Sequence, residues 1–176
     1  MLSHLSKKRQ KGATLLELVM FIGLAALILI GGVVWYQTAS EGQRVADEVS
    51  NLNAVSSLIR NTFTTQNNFA GLANSVITRS SQFPDKMRIA GNVNLIKSGW
   101  NDDGVDVAPA SVVSTNDSFT IDYKDVPGGA CIDFTSRAYR FFEQTTVQGT
   151  VIANGLADIT ANCDDAGGNS IVFRTR

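Results

Sequence analysis

The chain has 176 residues, of which 44% are hydrophobic and 18% are charged, a length that suits one domain with an appendage. Its net charge of −1 is unevenly divided, because four of the 15 basic residues lie within the first twelve positions with no acid among them. The remaining 11 basic and 16 acidic residues leave −5 on the rest of the chain. That part lacks the clustered Lys and Arg that neutralise phosphates, which excludes nucleic acid as an expected partner.

An apolar run over residues 18–36 dominates the N-terminal part of the chain. Its nineteen residues carry no charged or strongly polar side chain. As a helix they rise about 28 Å, enough to cross a bilayer core of about 30 Å. Trp35 and Tyr36 end the run with side chains that favour the membrane interface, and the basic residues at 7–11 precede it. The pattern predicts a membrane-spanning helix whose N-terminus lies in the cytoplasm.

Two ordinary alternatives for this run are a secretory signal peptide and an uncleaved anchor. A signal peptide has an apolar region of about 7–15 residues followed by a small-x-small cleavage site. The run here is longer, and residues 37–40, with the sequence QTAS, offer only a poor site. The residues that precede the run favour a third interpretation.

Glu17 lies at the edge of the apolar run, next to the membrane segment. An isolated ionised carboxylate at membrane depth costs several kcal/mol unless it is paired, so such a residue is a candidate functional site. The alternative is a carboxylate in the first turn of a helix, where the helix dipole favours a negative charge.

Residues 7–17 resemble the processing motif of type IV prepilins, with a basic leader, Gly12, a small residue at Ala13, Thr-Leu-Leu, and then Glu17. The resemblance implies cleavage between Gly12 and Ala13 by an inner-membrane aspartyl prepilin peptidase, and methylation of the new N-terminus at Ala13. It also implies that Glu17 is the assembly residue. Cleavage creates an ammonium without a local counter-charge, and Glu17 of a neighbouring copy can supply one in a pair that sets register.

The apolar run contains no proline, and its weakest helical point is the pair Gly31 and Gly32. Each glycine costs about 1 kcal/mol relative to alanine in a helix interior. We hypothesise that this pair lets the helix stretch or melt during polymerisation. The alternative is that Gly23, Gly31 and Gly32 permit close packing of helices.

Apolar residues become periodic after Tyr36, with the three- and four-residue spacing of an amphipathic helix. The stripe consists of Val45, Val49, Leu52, Val55, Leu58 or Ile59, and Phe63. Five charged residues are expected off the stripe, namely Glu41, Arg44, Asp47, Glu48 and Arg60. The spacing predicts that the helix continues without a break to about residue 64 and buries its stripe against a domain.

The C-terminal part alternates short helical and extended patterns. Residues 65–81 are rich in Asn, Gln, Thr, Ser and Gly, which predicts a loop with a short helix over residues 72–78. Alternating apolar residues predict strands at residues 87–96, 105–113, 119–123, 147–152 and 171–174. A helix over residues 130–144 is predicted by the spacing of Phe134, Ala138, Phe141 and Phe142.

Cys131 and Cys163 both lie in the C-terminal third of the chain. An even count on the far side of an apolar segment favours one disulfide in an oxidising compartment, and two buried free thiols are the alternative. If bonded, they close a loop of about 33 residues, which the chain-entropy relation values at roughly 3.5–4 kcal/mol. The Gly-Ala-Cys start of a helix, the second Cys and the terminal Ile-x-Phe strand are similar to the type IVb pilins, including the PilS-like major pilins of thin pili.

Patterns for catalysis, cofactors and metals are weak. The only histidine, His4, belongs to the leader, so the mature chain lacks a Ser-His-Asp or Cys-His nucleophile and an ordinary His-containing zinc site. The glycine pairs at 128–129 and 167–168 lack the strand-loop-helix context of a phosphate loop. Acidic turns at 101–106 and 164–165 could gather oxygens around calcium, although exposed turns explain them as well. No enzyme activity, cofactor or metal is expected.

The sequence predicts an α+β fold of the type IV pilin kind. A long N-terminal helix, half transmembrane and half amphipathic, is expected to pack on a small antiparallel sheet. Residues 1–12 are expected to form a cleaved basic leader and residues 13–64 the helix, with 18–36 spanning the membrane. Residues 65–176 are expected to form a globular domain, periplasmic before assembly and extracellular afterwards.

The expected function is a filament subunit, stored in the inner membrane, that polymerises with itself. The expected partners are the prepilin peptidase, the inner-membrane assembly platform and minor pilins. A minor pilin or a type II secretion pseudopilin shares the N-terminal motif and is an alternative. An alternative of another class is a monomeric membrane-anchored binding module. Adhesion, aggregation, motility and conjugation are not distinguished by these residues.

Overall fold

A 48-residue helix, α1 (Leu15–Thr62), opens the structure, a computed structural model that describes residues 14–176. The chain divides into two compact units, Met1–Ser40 and Glu41–Arg176. The first 26 positions of α1 belong to the N-terminal unit, and the remainder belongs to the C-terminal unit. The predicted end of the helix near residue 64 agrees with this bound to within two residues.

Seven antiparallel strands form the sheet of the C-terminal unit. They are β1 (Arg88–Ile89), β2 (Asn92–Ile96), β3 (Val105–Ala110), β4 (Ser118–Val126), β5 (Gln144–Val147), β6 (Thr150–Val151) and β7 (Asn169–Thr175). Their spatial order is β1-β2-β3-β4-β7-β5-β6, so the last strand of the chain lies between β4 and β5. The predicted α+β class, with a long helix on an antiparallel sheet, is confirmed.

Three shorter helices complete the C-terminal unit: α2 (Asn74–Ile77), α3 (Gly128–Ala138) and α4 (Leu156–Asn162). Single 3-10 turns lie at Asp85–Met87 and Tyr139–Phe141. The predicted helix at 72–78 corresponds to α2, whereas α4 was not predicted from the sequence.

The second part of α1 buries an apolar stripe in the core of the C-terminal unit. The buried members are Val45, Leu52, Val55, Leu58 and Ile59, and the stripe ends with Phe63 just after the helix. Val49 is only half-buried. At the C-terminal end of α1, Arg60 Nη2 donates a 2.6 Å hydrogen bond to Thr175 Oγ1 of β7. The helix and the last strand are thereby joined.

Glu48 was wrongly expected off the stripe. The side chain is only 5% exposed. Its position explains this, because it lies three residues after Val45 and four before Leu52, and residues at those spacings share one helix face. The loop after β2 covers the same face, since a Cβ on Gly99 would come within 3.2 Å of Glu48 Oε1.

Aromatic rings from the sheet and α3 fill the centre of the core. Tyr123 and Phe134 have ring centroids 4.8 Å apart, and Phe134 contacts Phe173 at 5.5 Å. Phe142 lies against Phe173 at 4.9 Å. Off-parallel pairs at these separations are favourable aromatic geometries, so the cluster binds α3 to β4 and β7.

Two predicted strands are each divided by a turn. The stretch 87–96 turns at Gly91, whose φ of +79° is available to glycine at no steric cost, and becomes β1 and β2. The stretch 147–152 turns at Gln148 and Gly149, where two successive positive φ angles form a tight hairpin between β5 and β6. The alternation of apolar residues predicted the extended stretches but not the turns within them.

The predicted helix over 130–144 ends earlier in the structure. It begins at Gly128, and after the 3-10 turn Phe142 has extended backbone angles of −120° and 151°. Glu143 N–H then donates to the Arg174 carbonyl at 3.1 Å, which begins the pairing of β5 with β7. Pairing with β7 therefore decides the conformation of these residues, although their apolar spacing had predicted a longer helix.

Candidate functional site

The first turn of α1 is capped by Thr14. The Glu17 backbone N–H donates to Thr14 Oγ1 at 3.3 Å, and the Leu18 N–H donates to the Thr14 carbonyl at 3.1 Å. Thr14 is therefore the N-cap residue and Glu17 the third residue of the helix, the spacing of a capping box. A carboxylate at that position also interacts favourably with the helix dipole.

The Glu17 side chain is exposed. Within residues 14–176 its carboxylate has neither a hydrogen bond nor an ion pair with another side chain. It is also the sole charged residue in the sequence between positions 14 and 40. The predicted processing residues Gly12 and Ala13 lie outside the described residues. The geometry therefore leaves the Glu17 carboxylate free to meet a group from another molecule.

The first part of α1 exposes apolar side chains on all sides. The large apolar side chains that the structure describes between Leu15 and Tyr36 are 55–81% exposed. An 18-residue window reaches a mean hydropathy of 2.6 with none of it buried, and α1 is the one helix among the described residues that is long and apolar enough to cross a membrane. A helix that is apolar all round needs lipid or other protein around it.

Gly31 and Gly32 lie within the continuous helix, and a Cβ on either glycine would meet no atom within 4 Å. The surface at this pair is therefore open. That surface is compatible both with close approach of another helix and with local melting, so helix flexibility at Gly31 and Gly32 stays a prediction.

Cys131 and Cys163 are joined by a disulfide with a Cα–Cα distance of 5.9 Å. Cys131 lies in α3 and Cys163 follows α4 directly, so the bond ties these two helices together. The chain also packs closely here, because a Cβ on Gly128 would lie 2.7 Å from the Asp164 carbonyl oxygen. The start of α3 and the end of α4 are thus held against each other.

The acidic turn at 101–106, considered for calcium, has internal partners for its carboxylates. Asp106 Oδ2 pairs with Lys124 Nζ at 2.5 Å, and its Oδ1 accepts from Asn74 Nδ2 at 2.8 Å. Asp102 pairs with Lys97 at 3.5 Å. Over residues 14–176 no three His, Cys, Asp or Glu side chains group closely enough to hold a metal ion.

Trp100 fastens the loop after β2 to α1, a contact that the sequence analysis missed. Its Nε1 donates to Glu41 Oε1 at 2.9 Å, and its ring contacts Phe134 edge-on at 5.5 Å. Glu41 also pairs with Arg44 at 3.4 Å. A half-buried Trp with a satisfied N–H is typical of such a bridging position, but nothing in the sequence names its partner.

Asp117 organises the β3–β4 loop and was also missed. Its carboxylate accepts N–H groups from Val112, Val113 and Ser114 at 2.7, 2.9 and 3.0 Å. These three backbone bonds lower the pKa of Asp117 to about 2. The only sequence signal was an acid between the predicted strands at 105–113 and 119–123.

Comparison with known proteins identifies a family and related sequences. Residues 42–176 match the family model described as PilS N terminal. A stretch of 88 residues is 28% identical to the major structural subunit of the bundle-forming pilus of Escherichia coli O127:H6, covering 50% of this chain and 46% of that protein. The major structural subunit of the bundle-forming pilus of Escherichia coli O111:H- matches with the same identity and coverage. By this measure the chain spans about half the length of these relatives.

Two solved structures share the fold. The crystal structure of a type IVb pilin from Salmonella typhi has a TM-score of 0.57 and 19% identity, covering 73% of this chain and 97% of that one. The structure of TcpA, a type IV pilin from Vibrio cholerae El Tor biotype, has a TM-score of 0.54 and 13% identity, covering 76% and 99%. At these identities the likeness concerns the fold alone.

Proposed function

We propose that this chain, which belongs to the PilS N-terminal family, is a structural subunit of a type IV pilus. The first part of α1 carries the proposal, because its apolar side chains are exposed on every face. Water cannot solvate such a surface favourably. Lipid can cover it before assembly, and equivalent helices of other copies can cover it inside a filament.

The proposed precursor lies in the inner membrane with its basic leader, residues 1–12, in the cytoplasm and its globular part in the periplasm. The prepilin peptidase cleaves between Gly12 and Ala13 and methylates Ala13. The assembly platform then transfers the subunit from the membrane into the filament, with minor pilins as further partners. The domain bounds proposed are 13–64 for the helix and 65–176 for the globular part.

Glu17 is the proposed assembly residue. Its carboxylate is exposed and has no side-chain partner within residues 14–176, in a segment with no other charge between positions 14 and 40. In a dry bundle of α1 helices it needs a cation, and the new N-terminus of a neighbouring copy provides one. Because an unpaired buried charge is costly, staggered neighbours that form this pair are favoured over neighbours that do not.

Three variants separate charge pairing at Glu17 from helix capping. Glu17→Gln keeps the shape but removes the charge, Glu17→Asp keeps the charge on a shorter chain, and Thr14→Ala removes the cap while leaving the carboxylate. Each is expressed in cells that assemble the wild-type filament. Processing is read from the mass of the membrane-extracted subunit, and assembly is read from sheared surface filaments by electron microscopy.

We expect Glu17→Gln to be inserted and processed but to make no filaments. Thr14→Ala should still make them, because losing one cap costs only about 1 kcal/mol. Glu17→Asp should retain part of the assembly. Filaments of normal length and number from the Gln variant would contradict the assembly role of Glu17.

Copy number distinguishes the major subunit from a minor pilin or a pseudopilin. The relatives that match this chain are named as the major structural subunit of a pilus, so we expect the chain to dominate sheared filaments. A membrane-anchored binding module would instead act without filaments and would keep its activity in the Glu17→Gln variant. The proposed role is structural and requires no catalytic group.

A further inference from the structure

A carboxyl group and a hydroxyl group are buried opposite each other between α1 and β4. Glu48 is 5% exposed and Tyr123 is fully buried. Neither Glu48 Oε2 nor the Tyr123 hydroxyl has a hydrogen-bond partner within residues 14–176. The Tyr123 hydroxyl is nevertheless near enough to Glu48 to act on its charge as a donor, although the geometry of a hydrogen bond is not met. Buried polar atoms of this kind are rare in folded proteins and call for a specific explanation.

The other carboxylate oxygen of Glu48 has only neutral partners. Oε1 accepts from Asn51 Nδ2 at 3.2 Å, and the backbone N–H of Gly99 lies close enough to the carboxylate to favour its ionised form. A Cβ at Gly99 would lie 2.8 Å from Arg44 Cγ and 3.2 Å from Glu48 Oε1, so a side chain there would displace its neighbours on α1. The loop therefore lies close against this face of α1, next to the carboxyl group.

The charged side chains around Glu48 are paired with other residues. Arg44, on the same helix, pairs with Glu41 at 3.4 Å. Asp47 pairs with Lys86 at 2.8 Å, and both side chains are at least 60% exposed. From the sheet, Tyr123 is the titratable group that faces Glu48. Over the described chain no cation forms an ion pair with Glu48.

Burial raises the pKa of the Glu48 carboxyl above its ordinary value, and the nearby Asp47 charge acts in the same direction. The bonds from Asn51 and Gly99 and the Tyr123 hydroxyl oppose that rise without cancelling it. The pKa of Tyr123 is itself raised well above its ordinary value, mainly by burial and then by Glu48. Tyr123 therefore stays neutral, and Glu48 is the member of the pair that titrates.

We propose that Glu48 and Tyr123 form a proton-controlled clamp between α1 and the sheet. When Glu48 holds a proton, its carboxyl O–H can donate to the Tyr123 hydroxyl oxygen, and no charge is buried. When the proton leaves for solvent, the Tyr123 O–H can donate to Glu48 Oε2, but an unpaired negative charge remains in the core. The contact of α1 with β4 and with the loop at residues 97–102 is then weakened.

The sign of the pH dependence follows from the direction of the shift. Because the folded state holds the Glu48 proton more tightly than the unfolded state, protonation stabilises the folded state. This contribution is fully present below the ordinary Glu pKa of about 4.3 and is lost as the pH rises through the higher folded-state pKa. The second part of α1 should therefore be held against the rest of the C-terminal unit more firmly at mildly acidic than at neutral pH.

The test compares the full chain in detergent micelles with its Glu48→Gln variant, both in a Trp35→Phe background. Trp100 then reports unfolding alone, because it is the other of the two tryptophans in the chain. Urea midpoints are measured from about pH 5 to about pH 8, the range through which a raised carboxyl group titrates. The wild-type midpoint should fall with rising pH relative to that of the variant. A constant difference between the two would overturn the clamp.

Two further variants locate the effect. Asp122→Asn, on β4, removes another carboxyl whose pKa is raised by burial, and it should leave the Glu48-dependent fall in place. Tyr123→Phe removes the hydroxyl that favours the ionised form of Glu48, so it should move the fall in the urea midpoint to higher pH.

If the Glu48→Gln variant does not fold, the Tyr123→Phe variant decides the question, and a pH profile unchanged by that substitution would refute the clamp. The measurement needs no filaments, so its outcome is independent of the proposed pilus role.

Discussion

The two parts of α1 belong to one helix but are built for different surroundings. Leu27 is 69% exposed and Leu52 is fully buried, although both are leucines in the interior of the same helix. The first part has no polar face and therefore no preferred side toward a protein core. The second part has one apolar stripe, which is buried in the core of the C-terminal unit. Backbone structure is thus continuous along α1, whereas the environment of its side chains changes completely.

The largest expected effect is confined to the C-terminal unit. Replacing Cys131 and Cys163 together by serine opens a loop with a sequence separation of 32, and it should lower the free energy of unfolding by about 3.5–4 kcal/mol. Urea denaturation followed by Trp100 fluorescence measures this loss. The helix signal of the first part of α1 in micelles should not change. Equal losses in both regions would contradict the separation between them.

A matched pair of substitutions sharpens the comparison. Leu52→Ala removes a fully buried side chain and should cost about 3 kcal/mol of stability in the C-terminal unit. Leu27→Ala makes the same chemical change where the side chain is exposed, and it should alter that stability by less than about 0.5 kcal/mol. Urea unfolding of both variants checks the difference. Similar losses would mean that residue 27 belongs to the folded core.

Trp100→Phe should have a smaller effect. The variant retains an aromatic ring against Phe134 and loses the hydrogen bond to Glu41, so we expect a cost of about 1 kcal/mol. Amide hydrogen exchange should then rise at the start of the C-terminal unit and stay constant near Ile59, which is fully buried. Unchanged exchange at residues 41–45 would show that Trp100 does not restrain the helix there.

Asp117→Asn should have the smallest effect, because the residue is only partly buried and water screens the carboxylate. The lowered pKa of Asp117 means that its contribution is present above the ordinary Asp pKa of about 3.9 and is lost as the pH falls through about 2. The wild type should therefore exceed the variant in stability at neutral pH, and the difference should vanish in strong acid. Thermal unfolding at several pH values tests this. A difference that persists below about pH 2 would indicate another cause.

Both parts of α1 could be predicted because their patterns are long. A nineteen-residue apolar run and a stripe from Val45 to Phe63 are repeated signals, and no tertiary contact has to be known to recognise them. The burial of Glu48 was missed because a charged side chain was expected on the exposed face of the helix, whatever its spacing from the apolar residues. Position decides here, since the glycine at residue 99 brings the covering loop within reach of that carboxyl group.

The short elements of the C-terminal unit were less predictable, because their limits depend on distant partners. Helix α4 buries Ile159 as its only fully buried side chain, and its start is held by Asp158 Oδ2, which accepts the N–H groups of Ala153 and Asn154 at 2.8 and 2.7 Å. The end of α3 is set by β7, which pairs with residues just after Phe142. Neither partner is adjacent in sequence, so local spacing could not give these bounds.

Of the residues chosen from the sequence, the cysteines could be anticipated because an even count suggests pairing. The proposed roles of Glu17 and of the Gly12–Ala13 bond concern contacts with other molecules. A single chain cannot contain those contacts, however completely its own fold is described.

Mass spectrometry of subunits from sheared surface filaments tests the central claim most directly. That claim is that the exposed apolar part of α1 becomes the interior of a filament after the leader is removed. We predict that this chain is the dominant subunit and that it begins at a methylated Ala13. Filaments that contain the chain with residues 1–12 still attached, or filaments that lack the chain, would contradict it.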